Sequence, residues 1–127
     1  MATTFEVSHR QLAGQGYAIE TARATGESGA IAETYTAVAT MVKLVAAFLH
    51  LNTAGTTNED FEINKDSGSD NKHDTNLHTQ DLLLGNVTDL VIPFEGIWLE
   101  AGDEIDVAWP NSEARDYGLE LIFEVYN

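Results

Sequence analysis

Apolar and polar residues alternate with a period of two along most of this chain, the spacing of a half-buried strand rather than the 3.6-residue period of a helix. The clearest case is "YGLELIFEVY", 117 to 126, which sets Leu119, Leu121, Phe123 and Val125 against Glu120, Ile122, Glu124 and Tyr126. "EDFEINKD", 59 to 66, alternates in the same way, and "AIAETYTAVAT", 30 to 40, carries the β-branched and aromatic residues that strands favour. "MVKLVAAFLHL", 41 to 51, fits either period. Its flanks, "TYTAVAT" and "NTAGTTN", are strand and turn chemistry, so it reads as a strand buried on both faces, with Phe48 in the core. "LHTQDLLLGNVTDLVIPF", 77 to 94, predicts a strand, a hairpin turn at Gly85 and Asn86, and a second strand that Pro93 ends. "GIWLE" and "DEIDVAW" flank the turn "AGD" and predict a second hairpin, with Ile97, Leu99, Ile105, Val107 and Trp109 inside and the acidic tip outside. Between these runs, "KDSGSDNKHDTN", 65 to 76, has no apolar residue and predicts an exposed connection.

The first 27 residues are different. "TTFEVSH", 3 to 9, reads as a short strand, "LAGQGY", 12 to 17, as a loop, and "YAIETARA", 17 to 24, as one or two helical turns held short by glycines. They are expected to form an N-terminal arm, followed by one domain over 28–127. About eight short strands spaced by roughly 8 to 12 residues predict an all-β fold, an antiparallel β-sandwich or jelly roll. At 127 residues one core is expected, and no repeat period points to a solenoid or propeller.

Composition narrows the partners. The chain is 43% hydrophobic, enough for a packed core, and its 21 Asp and Glu against 6 Lys and Arg leave a net charge of −15. Such a field repels phosphates, so no direct nucleic-acid contact is expected, and an anionic membrane surface is disfavoured for the same reason. No apolar run reaches the roughly 18 to 20 residues of a membrane span. The N-terminus lacks the basic and apolar regions of a secretory signal, so no Sec export is expected. The absence of Cys removes disulfides, thiolate metal sites and Cys nucleophiles.

Candidate chemistry is sparse. Carboxylate pairs at Glu59 and Asp60, Asp103 and Glu104, and Glu100 and Asp103 qualify for hydrolysis only as an unequal pair in a cleft, and this acidity produces such pairs by chance. Asp66, Asp70 and Asp74 are candidate Ca2+ ligands, although the loop lacks the Asp-x-Asp-x-Asp-Gly spacing of a calcium loop. His9, His50, His73 and His78 are scattered, without the spacing of a zinc set. No nucleophile elbow or phosphate loop is present, no motif demands a cofactor, and the chain is not expected to be an enzyme. Trp98, Trp109, Tyr117 and Tyr126 raise another class: aromatic faces on a β-sandwich can stack on sugar rings, which requires exposed, coplanar rings, so Trp98 and Tyr117 mapping to the surface would favour it, whereas Trp109 follows Ile105 and Val107 into the core.

The segment from "LVAAFLHL" through "TTNEDFEI" and "TQDLL" to "GIWLEAGDEIDVAWPN" and "YGLEL" resembles small virion proteins encoded among the structural genes of tailed bacteriophages. That resemblance, over roughly residues 41 to 123, implies a jelly-roll virion domain, non-enzymatic, assembled in the host cytoplasm. The implied role is capsid decoration through contact with the major capsid protein or another virion protein, as a homotrimer. A glycan- or receptor-binding module of a head fibre or tail is the alternative.

Overall fold

The computed structural model describes residues 5–11, 16–39 and 41–126. Among them are nine strands: β1 Glu6–Gln11, β2 Tyr17–Gly26, β3 Ile31–Thr36, β4 Met41–Leu51, β5 Asp60–Asp66, β6 Thr75–Asp81, β7 Asp89–Leu99, β8 Glu104–Trp109 and β9 Tyr117–Tyr126, with one 3₁₀ turn, Asn71–His73. They form two antiparallel sheets, in the orders β1-β2-β9-β4-β7 and β3-β8-β5-β6. The expected all-β sandwich is the observed fold.

The two sheets bury one another's inner faces. Ala22, Leu44, Leu49, Leu121 and Phe123 from the larger sheet meet Ile31, Tyr35, Phe61, Ile63, Ile105, Val107 and Trp109 from the smaller. Tyr35 stacks on Phe123 across the interface at 3.9 Å between centroids, and its hydroxyl donates to Glu20 Oε1 at 2.5 Å. Burial and that carboxylate raise the Tyr35 phenol far above its ordinary range, so it stays protonated as a donor.

Four expectations are corrected. Residues 17–24 are extended rather than helical, and the expected arm supplies β1 and β2, with β2 hydrogen-bonded between β1 and β9. Ala18, Ala22 and Ala24 have no exposure or almost none, so the alternation there is the strand period, carried by alanines that also suit a helix. Of the loop expected over 12–17, residues 12–15 lie outside the described residues. Neither expected hairpin forms: β6 and β8 belong to the smaller sheet and β7 to the larger, so the turns at Gly85 and Asn86 and at "AGD" cross between sheets. A crossing strand buries one face just as a hairpin strand does, and the local pattern is the same. Pro93 lies inside β7 instead of ending it; β7 is an edge strand, where a residue whose nitrogen faces away from the sheet has no ladder bond to lose.

The fourth correction is Phe48, 36% exposed rather than core. Leu44 and Ala46 face Phe123 and Ile122, adjacent in β9, so Val45 is an extra residue and the inward parity of β4 moves from Val42 and Leu44 to Ala47, Leu49 and Leu51. Ile97 is partly buried against the core; Leu99, Ile105, Val107, Trp109, Leu119, Leu121 and Phe123 are buried as expected.

Candidate functional site

The larger sheet turns its second face outward, and the ladder register fixes what stands there. Tyr17 pairs Tyr126, which pairs Met41; in the next row Ile19 pairs Glu124, Glu124 pairs Lys43, and Lys43 pairs Trp98. These positions alternate with buried ones, so all point away from the core. Trp98 owes its outward position to an irregularity. Pro93 and Ile97 face Ala46 and Leu44, setting three residues of β7 against one of β4, with Gly96 at φ 69° taking the left-handed turn that a bulge of this kind requires. Ile92 before the bulge and Leu99 after it both point inward, an odd number of residues apart, and Trp98 consequently projects outward with 41% exposure.

Three aromatic rings meet at this end of the face. Tyr17 and Tyr126 lie 5.3 Å apart at 43°, and Trp98 and Tyr126 lie 5.4 Å apart at 50°. The row runs from β2 to β7, three inter-strand steps or about 14 Å. Glu124 holds it in place: its Oε1 accepts from the Tyr126 hydroxyl at 2.5 Å and lies 3.2 Å from Lys43 Nζ, which sits 5.4 Å from the Trp98 ring centroid. The hydrogen bond to Glu124, with partial desolvation and the Glu124 charge, pushes the Tyr126 phenol up to about 12. At the other end of the face, Phe48 and Val91 are exposed beside a Gly118 that leaves the surface open, and His50 pairs Asp89 at 2.7 Å, which raises the imidazole above its ordinary range.

Beyond Trp98 the surface falls into a groove of about 920 Å³ between the β7–β8 turn and the loop after β5. Asp103 fastens its walls, accepting from Gly68 N–H and Glu100 N–H at 2.9 Å each, with Lys65 Nζ at 3.9 Å. Burial pushes the Asp103 carboxyl upward, but the two N–H donors and Lys65 outweigh it and hold the group below the ordinary Asp range. Gly68 packs so closely on the Gly102 carbonyl that a Cβ there would lie 2.6 Å from its oxygen. The tip expected outside is therefore anchored by a buried acid.

The candidate Ca2+ ligands are not brought together as a set. Asp70 caps the 3₁₀ turn, accepting from Lys72 N–H and bonding His73. Asp66 instead joins Glu104 and Asp106 of β8, with carboxylate oxygens within 4.8 Å of one another. Asp74 lies close enough to be the main cause of Asp66's raised pKa; burial, Asp106 and Asp66 raise Glu104. Hard oxygen donors of this kind suit Ca2+ or Mg2+ by chemistry. Asp106 escaped sequence reading, and Glu104 entered it only as the partner of Asp103, because both lie some forty residues from Asp66 and only the β5–β8 register joins them. The carboxylate pairs have structural tasks: Glu59 accepts from Ser112 N–H, and Asp103 is the anchor above. The imidazoles are dispersed, His9 on Glu20, His50 on Asp89, His73 on Asp70 and His78 on Gln80. Of the two aromatics whose surface placement would favour sugar stacking, Trp98 reaches the outer face but Tyr117 is buried, because it falls on the inward parity of β9; Tyr126 reaches the outer face and Trp109 is core. Tyr17 was missed because 17–24 reads as helix.

No protein-family model matches the sequence, and comparison with curated proteins finds no match. Among solved structures, similar folds include TmCBM61 in complex with beta-1,4-galactotriose (TM-score 0.43, 10% identity, covering 97% of this chain and 88% of that one). A second is the xylan-binding module CBM15 (TM-score 0.42, 9% identity, 96% and 97%). A third is the Clostridium thermocellum xylanase 10B CBM22-1–GH10 pair complexed with xylohexaose (TM-score 0.38, 11% identity, 97% of this chain and 25% of that one). Scores and identities this low assign no residue roles, and the functional reading rests on the side chains themselves.

Proposed function

We propose that the chain is a glycan-binding β-sandwich module whose binding platform is the outer face of the larger sheet. The observation that carries this reading is the aromatic row Tyr17, Tyr126 and Trp98, contiguous across the sheet, with Trp98 half-exposed. Sugar rings offer apolar C–H faces and a rim of hydroxyls; aromatic faces cover the first, and fixed polar groups orient the second. Glu124 and Lys43 stand at the rings as acceptor and donor, already oriented by their own contacts. Binding of this kind needs no nucleophile and no bound metal.

Titration calorimetry against a panel of soluble oligosaccharides tests the reading. Trp98→Ala is expected to weaken binding by about 2 kcal/mol, roughly thirtyfold. Its melting temperature should stay close to that of the parent, because the indole lies outside the core. Equal affinity of the variant and the parent, or no binding to any glycan, contradicts the platform.

The resemblance to phage virion proteins supports a second reading, decoration of a capsid surface, which the charge of −15 favours through complementarity to basic capsid patches. Salt-sensitive co-sedimentation with empty capsids tests it. The two readings meet in a glycan-binding module carried on a virion.

A further inference from the structure

The platform does not end at Trp98. The groove beyond it shares that indole as a wall and is lined further by Met41, Lys65, Ser69, His73 and Glu100. We propose that this groove is a second subsite for the same ligand, and that the ligand is a single neutral oligosaccharide chain running from the aromatic row over Trp98 into the groove; this rests on the glycan-binding reading above.

Three observations point that way. The rings are tilted by 43° and 50° rather than coplanar, so they follow a chain that twists from one residue to the next and do not match a flat, crystalline polysaccharide face. The groove is lined both by polar groups that can meet sugar hydroxyls, serine hydroxyls, an imidazole and a carboxylate, and by the apolar side chains of Trp98 and Met41. Its lysines are already committed: Lys65 donates to the Trp98 carbonyl at 2.9 Å and lies 3.9 Å from Asp103, and on the platform Lys43 is paired with Glu124. A uronate or sulfated chain would meet Glu100, Asp103 and Glu124 with both nearby lysines already paired, in a molecule of charge −15. The walls are preformed, since Asp103 closes the turn through Glu100 N–H and ties it to the loop through Gly68 N–H, so little ordering cost falls on binding.

The experiment is a calorimetric titration of neutral oligosaccharides of increasing length, one uronate-containing chain and one insoluble crystalline polysaccharide. Parent protein, Trp98→Ala and Ala101→Trp are compared. Ala101 lines the groove from the β7–β8 turn and is not one of the aromatic row, and a Trp there would occupy groove volume. Ser69→Trp serves the same purpose should Ala101→Trp fail to fold. The inference predicts that parent affinity rises at least tenfold once the chain is long enough to pass Trp98. Either groove-filling variant should lose that gain while keeping the affinity for the shortest ligands, and Trp98→Ala should lose both. Long chains bound equally by the parent and both groove variants overturn the subsite and leave the platform standing. Preference for the uronate chain, or for the crystalline polysaccharide over soluble chains, overturns the ligand class. No binding to any glycan removes the platform, and this inference with it.

Discussion

Phe48 and Phe123 stand on adjacent strands; the inserted Val45 turns the first outward, while the unbroken alternation of β9 keeps the second in the core. Phe123 is fully buried and stacked on Tyr35, so Phe123→Ala should leave a cavity costing about 3 to 5 kcal/mol, read as a lower denaturation midpoint. Phe48→Ala removes a side chain on the outer face and should stay within about 0.5 to 1 kcal/mol of the parent. The same scale settles what orders the platform. Glu124→Ala removes the acceptor that raises Tyr126, so that phenol should return from about 12 toward the ordinary tyrosine value near 10, followed by phenolate absorbance against the parent. A Tyr126 titration unmoved by the substitution would mean that the Glu124 contact does not form in solution.

At the scale of elements, two bulges do what no regular strand could: Val45 turns Phe48 outward, and the insertion ending at Gly96 turns Trp98 outward. Strand existence was legible in the sequence because alternation is a local property, and "YGLELIFEVY" and "EDFEINKD" show it without interruption. Strand partnership was not, because a sheet-crossing strand and a hairpin strand bury the same residues, as β7 and β8 demonstrate. β2 was misread because its inward positions are alanines, which fit a helix as readily as a strand. Trp98 and Tyr126 were legible as candidates from residue type; Tyr17 joined them only through the β2–β9 register. The β5–β8 register likewise assembles Asp66, Glu104 and Asp106. The folded-state pKa values of Asp66 and Glu104 are raised, so the charged cluster opposes folding at neutral pH, and that cost fades as pH falls through the raised values toward the ordinary carboxylate range near 4. Asp106→Asn keeps an acceptor for the Thr34 hydroxyl while removing one charge. It should raise the melting temperature at neutral pH, by a margin that shrinks on acidification; a lower melting temperature at neutral pH would refute the repulsion.

For the whole molecule, the division of labour is between faces. The inner faces of the two sheets supply the stability, and the outer face of the larger sheet presents the aromatic row and the groove beyond it. The two tryptophans separate these roles, Trp109 at 3% exposure in the core and Trp98 at 41% on the platform. Tryptophan emission during titration with a soluble neutral oligosaccharide therefore reports on the platform directly. Stacking removes water from the Trp98 indole, and the account predicts a saturable blue shift that disappears in Trp98→Phe while the Trp109 emission stays constant. Saturable glycan binding with no change in Trp98 emission would place the sugar elsewhere and contradict the account.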